Sequence, residues 1–249
     1  MKKHSYGKRF AGLLLVCCML LPCLAAAEDT PLFQATISLS GSSAPLTFTV
    51  DNTGKTDPAS DGDPVYRIRI TGSDQEAFDP LLFPYASGAD MEPLLRFVDL
   101  NSDGYLDIEA LHVVGASNRS STYFLYNAAK KQFEEAPLLQ NLSSYQIYPR
   151  QKLILNYEHE SAVTGTYTLY RFVDGNPVLF REASVLRDDR DNGESIRELV
   201  TEYDDQGNRT VLLDETHAEF ASEEEWLQHQ TIWLQLLWTG LDATETPES

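Results

Sequence analysis

Beyond Cys23 the 249-residue sequence contains no cysteine, so disulfides cannot hold the remaining 226 residues together, the count being 249 − 23. Basic residues are scarce as well: 19 Lys and Arg stand against 38 Asp and Glu, a formal net charge of −19. Such an excess repels phosphate backbones and anionic membrane surfaces, which argues against nucleic acid as a partner. No apolar run reaches the roughly 20 residues that a membrane-spanning helix needs. Catalytic signatures are missing too. There is no GxSxG elbow, no phosphate-binding glycine loop and no HExxH pair among His112, His159, His217 and His229. Those histidines read as surface or strand residues rather than metal ligands. What is present, 42% hydrophobic and 23% charged residues, describes an ordinary globular chain able to bury a core.

The first 27 residues read as a secretory signal. Lys2, Lys3, Lys8 and Arg9 form a basic head, Leu13 to Leu24 an apolar stretch broken by Pro22, and Ala25-Ala26-Ala27 a cleavage site of small residues. Cleavage after Ala27 takes four basic and no acidic residues, leaving 15 against 38 and a net charge of −23. It also takes all three cysteines, lipidation at Cys23 being the lesser alternative because Pro22 stands where a small residue is needed. An exported domain without disulfides depends on its core, helped by a bound ion where one is available.

Past Glu28 the dominant period is two. Tyr66, Ile68 and Ile70 alternate with Arg67 and Arg69, the pattern of a half-buried antiparallel strand. Similar runs at 32–39, 45–50, 94–98, 106–114, 122–126, 153–157, 166–173, 177–183, 196–203 and 210–214 predict further strands. Asp174-Gly175-Asn176, Asp191-Asn192-Gly193 and Asp205-Gln206-Gly207-Asn208 supply turns, since Asn and Gly accept the positive φ of tight hairpins. Residues 51–64, polar and rich in Pro and Gly, read as an exposed loop. Residues 222–238 read as a helix: Ser222 and Glu225 match a capping box, and Trp226, Trp233, Leu234 and Leu237 recur on one face. The body therefore spans 28–241 as one β-rich domain, with 242–249 a polar, flexible tail.

One segment carries specific chemistry. Residues 99–107 place oxygen-bearing side chains at loop positions 1, 3, 5 and 9: Asp99, Asn101, Asp103 and Asp107. Gly104 falls at position 6, where the chain turns sharply, and the carbonyl of Tyr105 at position 7 is the next ligand. Alternate spacing of this kind wraps a loop around a hard cation, and three carboxylates so close repel one another without one. Calcium fits better than magnesium, which insists on tight octahedral geometry; zinc is disfavoured because the loop holds no cysteine or histidine. Position 12 is Ala110, so the bidentate Glu of an EF-hand is absent. Glu109 sits one residue early, and both flanks look like strands. Loss of that ligand implies weak affinity, of the order of 10⁻⁴–10⁻³ M.

The stretch Phe97 to Ile108 resembles the calcium loop of FG-GAP and VCBS-type repeats, found between strands of β-propeller blades. Thr122 to Asn127, Lys131-Gln132-Phe133, Leu138-Leu139 and Tyr167 to Phe172 extend the likeness over residues 94–185, toward exported bacterial proteins with a single such loop. That resemblance implies a mainly β fold of antiparallel sheets, incomplete propeller-like or sandwich-like, here with one C-terminal helix. It also implies a periplasmic or extracellular, non-catalytic calcium-binding domain with a protein partner in the cell envelope. Some members of that family are periplasmic lipoproteins acting as immunity inhibitors of lysozyme-like enzymes, and a net charge of −23 suits a basic partner. Residues 186–249 have no counterpart in the resemblance. The competing expectation is a secreted carbohydrate-directed hydrolase whose calcium is structural.

Overall fold

The computed structural model describes residues 31–41, 43–58, 62–72, 80–85, 94–114, 119–161, 164–187, 195–218 and 222–241. The expected signal, the turn at Asp191-Asn192-Gly193 and the tail at 242–249 lie outside them.

Three antiparallel sheets succeed one another along the chain. The first holds β1 (Phe33–Ser38), β2 (Pro45–Thr56), β3 (Pro64–Gly72) and β4 (Leu81–Pro84), in that spatial order. The second holds β5 (Leu95–Val98), β6 (Asp107–Val114), β7 (Arg119–Asn127) and β8 (Gln132–Glu135), also in sequence order. A six-stranded sheet completes the series with β9 (Ser144–Tyr148), β10 (Leu153–Ser161), β11 (Thr164–Val173), β12 (Asn176–Arg187), β13 (Ile196–Tyr203) and β14 (Arg209–His217). The helix α1 (Glu223–Trp238) ends the described fold.

Period-two alternation decides how the sheets stack. On β7, Phe124 and Tyr126 pack with Phe48, Ile68, Ile70 and Phe83 of the first sheet. Their neighbours Tyr123 and Leu125 point the opposite way, into a cluster with Leu139, Leu142, Ile147, Ile154 and Tyr170. The continuous apolar run of β7 is thus a strand buried on both faces, which is why it lacks the polar alternation of β3. The third sheet repeats the logic. Ile154 and Tyr170 face the second sheet, while Leu155, Leu169, Val185 and Val200 face α1 through Trp233 and Leu237.

Local chemistry fixes the connections. Val173 pairs with Asn176 across Asp174 (φ 50°) and Gly175 (φ 79°), the two consecutive positive φ values of a tight hairpin. The Ser222 hydroxyl accepts from the Glu225 N–H at 3.2 Å and caps α1 as the sequence predicts. No basic residue lies in the last turn of α1, and the buried Arg181 of β12 takes that role from outside the helix. Its Nη1 donates to the carbonyls of Leu237 and Thr239, each at 2.7 Å. The reading of 51–64 as an exposed loop is corrected: β2 continues to Thr56, paired with β3 through a bulge between Asn52 and Lys55. Pairing satisfies the backbone there although the side chains are polar, because the bulge absorbs the extra residues that break the alternation.

Candidate metal centre

The loop 99–107 joins β5 to β6 and straddles the second sheet. Leu100 is buried in the core shared with the third sheet, whereas Tyr105 and Leu106 pack against the core shared with the first. The Leu106 N–H donates to the Leu39 carbonyl at 2.7 Å, tying the loop to the first sheet as well. Strands, not helices, flank it on both sides.

Between those anchors the loop is held by its own side chains, although Asp99, Asp103 and Asp107 do not all bring carboxylate oxygens within 4.8 Å of one another. The Asp99 carboxylate accepts from the N–H groups of Asp103 (3.0 Å) and Gly104 (2.9 Å). The Asn101 amide donates to Asp103 Oδ2 at 3.0 Å, and Asp103 Oδ1 accepts from the Tyr105 N–H at 2.9 Å. Gly104 has φ 89° and nothing would meet a Cβ there, so the turn needs glycine for conformation rather than for space. Asp107 opens β6 fully buried; its oxygens accept from the N–H groups of Leu100 (2.9 Å) and Tyr126 (2.8 Å). The Tyr105 ring lies 5.4 Å from that of Tyr126, tilted by 42°.

Electrostatics add a cost that a cation would remove. Burial pushes the Asp107 carboxyl up to about 7; the N–H groups of Tyr126 and Leu100 oppose that rise, and the charges of Asp103 and Asp99 reinforce it. Asp99 is raised by burial too, against the pull of its N–H donors from Gly104 and Asp103. The donor set of carboxylates, an amide and a main-chain carbonyl is all oxygen, which suits a hard divalent cation. Glu109 is spoken for elsewhere. It is fully buried on β6 and bound to Arg96 (3.1 Å), Arg119 (3.0 Å), Ser121 (2.9 Å) and Tyr145 (2.9 Å). It serves as a structural hub, not a ligand displaced by one position.

Beside the loop lies an open cavity of about 470 Å³, bordered by Asn101, Asp103, Tyr126, Lys130, Glu134 and Asp174. Hydrogen bonds from Lys130, Asn127 and Gln132 hold Glu134 down to about 2, so it remains an anion at any ordinary pH.

A second cluster is not legible in the sequence. Glu198 of β13, His217 at the end of β14 and His229 of α1 bring ligand atoms within 4.8 Å of one another, the one such trio of His, Cys, Asp or Glu among the described residues. The two histidines are therefore not the isolated residues the sequence suggests. One signal points to them: Glu198 occupies the inward register between Ile196 and Val200, where a carboxylate is out of place.

The chain matches no family model and no curated protein. It is similar in structure to a chain described as a Xanthomonas type IV secretion system related protein, with a TM-score of 0.47 and 12% identity. The superposition covers 75% of this chain and 95% of that one, a likeness too slight to carry function across. Among the described residues no helix is long and apolar enough to cross a membrane.

Proposed function

We propose that the protein is an exported, non-catalytic β domain that binds calcium through Asp99, Asn101, Asp103, the Tyr105 carbonyl and Asp107. The observation that carries this reading is the loop's internal hydrogen bonding: Asp99 accepts from two N–H groups of its own turn, and Asn101 is linked to Asp103. Those bonds fix the course of the turn, and Asp107 is held independently by the N–H groups of Leu100 and Tyr126; binding would then draw the loop's oxygens inward onto the ion. Filling the loop would stiffen the junction of the first two sheets and the rim of the adjoining cavity.

The partner we infer is a cationic protein of the cell envelope, a lysozyme-like enzyme being the kind that the resemblance implies. Supporting this is the acidic excess of the chain, which steers a basic protein toward it. The test is peptidoglycan lysis by a basic muramidase with the wild-type protein or with Asp103→Ala, in calcium. Inhibition by the wild type and less by the variant supports the reading. Glycan turnover by the protein itself would replace it with a hydrolase.

A further inference from the structure

We propose that Glu198, His217 and His229 form a second metal site, for zinc, independent of the calcium loop. The argument starts from Glu198. Its side chain is 1% exposed and sits on the core face of β13, between Ile196 and Val200 and under the helix that carries Trp233. A carboxylate in such a place is costly unless cations or a metal compensate it. The structure supplies two imidazoles: His229 Nδ1 lies 2.8 Å from Oε1, and His217 Nε2 lies 3.5 Å from Oε2.

Simple ion pairing accounts poorly for the way these groups meet. Oε1 accepts no aligned hydrogen bond despite the 2.8 Å approach of the ring nitrogen. The rings of His217 and His229 are 4.9 Å apart and inclined at 69°, close enough that two protonated imidazoles would repel each other. One shared cation resolves both features, because each nitrogen then directs its lone pair at the metal rather than a proton at the oxygen. With bonds of about 2.0–2.1 Å, a tetrahedral zinc holds its ligand atoms roughly 3.4 Å apart. The two nitrogens approach different oxygens of Glu198, and one ligand atom from each of the three residues lies within 4.8 Å of the others, so χ adjustments have to draw the trio in to that spacing.

Two imidazole nitrogens and one carboxylate select a borderline transition metal over calcium, which takes oxygen. The His217 and His229 side chains keep 30% and 20% of their exposure, and Glu215 lies 3.6 Å from His217 Nε2, so water or Glu215 would supply the fourth ligand. The three ligands come from different elements, so zinc here would staple α1 to the edge of the third sheet.

The experiment is zinc titration of the full-length chain by calorimetry, with cobalt as a spectroscopic substitute. The wild type is expected to bind one equivalent and to give the visible absorption of tetrahedral cobalt. His217→Gln and His229→Gln are each expected to weaken zinc by at least about tenfold, a change that even outer-shell substitutions reach. Asp103→Ala is expected to bind zinc as the wild type does. Failure of the wild type to bind zinc saturably, or undiminished zinc binding in both histidine variants, would overturn the proposal. His217 is part-exposed at a strand end, so its variant is expected to retain the wild-type far-ultraviolet spectrum and report on zinc alone.

Discussion

Replacing Arg181 by methionine tests how the helix is held. Arg181 is 7% exposed, and its guanidinium reaches across from β12 to the carbonyls of Leu236 (3.3 Å), Leu237 (2.7 Å) and Thr239 (2.7 Å). Carbonyls at a helix end have no partner within the helix, and the partial negative charge there favours a cation. A hydrogen bond to a charged donor contributes about 1.5–3 kcal/mol, and two short ones sharing a single donor nitrogen fall short of additive. The pair with Glu202 adds little, because that carboxylate is 37% exposed and rehydrates when the arginine leaves. Methionine keeps an apolar stem but loses the donors and the guanidinium that lies 4.5 Å over the Phe180 ring, so we expect a loss of about 3 kcal/mol. For a body of this size that corresponds to roughly 6–12 °C in Tm if unfolding stays cooperative.

The assay is provided by the chain itself. All three tryptophans, Trp226, Trp233 and Trp238, lie in α1, so intrinsic fluorescence tracks the helix while the far-ultraviolet signal tracks mainly the sheets. In Arg181→Met the fluorescence transition should move down, and ahead of the sheet transition if the helix undocks alone. Arg181→Lys should fall between the two, since a lysine keeps the charge but cannot serve several carbonyls at once. A fluorescence midpoint within about 1 °C of wild type would refute the assignment of Arg181 as the anchor of the helix end.

The same geometry sets three further outcomes. The raised Asp107 value stabilises the calcium-free fold most below the unfolded value near 4, and that gain is lost as pH rises through about 7. The stabilisation on adding calcium, read as the rise in Tm, should therefore grow from about pH 5 to pH 8, by about 3 kcal/mol through this group; a flat or shrinking rise contradicts it. Gly104→Ala meets no steric obstacle but puts a Cβ on a backbone at φ 89°, so it should cost about 1–2 kcal/mol and weaken calcium, measured by calorimetry. Glu109→Gln leaves the part-buried Arg119 without its counter-charge, while the more exposed Arg96 rehydrates, and should destabilise by about 1–3 kcal/mol in chemical denaturation. Calcium affinity of that variant should stay within about twofold of wild type, because Glu109 is not a ligand; a large loss would return it to the site.

Much of the fold is legible in the sequence because its signals are local. Tyr66, Ile68 and Ile70 declare their buried face by alternation, and Ser222 with Glu225 marks where the helix starts. Asp174-Gly175 names its own turn. The four-residue strands β4 and β8 escape, whereas β5 at the same length is caught by the apolar run at 94–98; so short a run carries little period, and pairing partners supply the order. Polar residues 51–56 look like a loop by side-chain character, yet pairing with β3 holds them extended. The candidate calcium ligands sit within nine consecutive residues and can be found from spacing alone. Glu198, His217 and His229 cannot, since a hairpin and a returning helix bring them together, and only the misplaced carboxylate between Ile196 and Val200 hints at it. Glu109, one residue short of the EF-hand's last ligand position, stays out of the loop because strand alternation turns its carboxylate to Arg96, Arg119 and Tyr145.

The most direct measurement is a calcium titration of the wild type beside Asp103→Ala, read by calorimetry and by Tm. One equivalent should bind the wild type with a dissociation constant of about 10⁻⁴–10⁻³ M. At a hundred times that concentration it should stabilise the fold by about 2.7 kcal/mol, while the variant responds little. Absence of saturable calcium binding in the wild type, or an equal response from Asp103→Ala, would contradict the assignment of residues 99–107 as the calcium site.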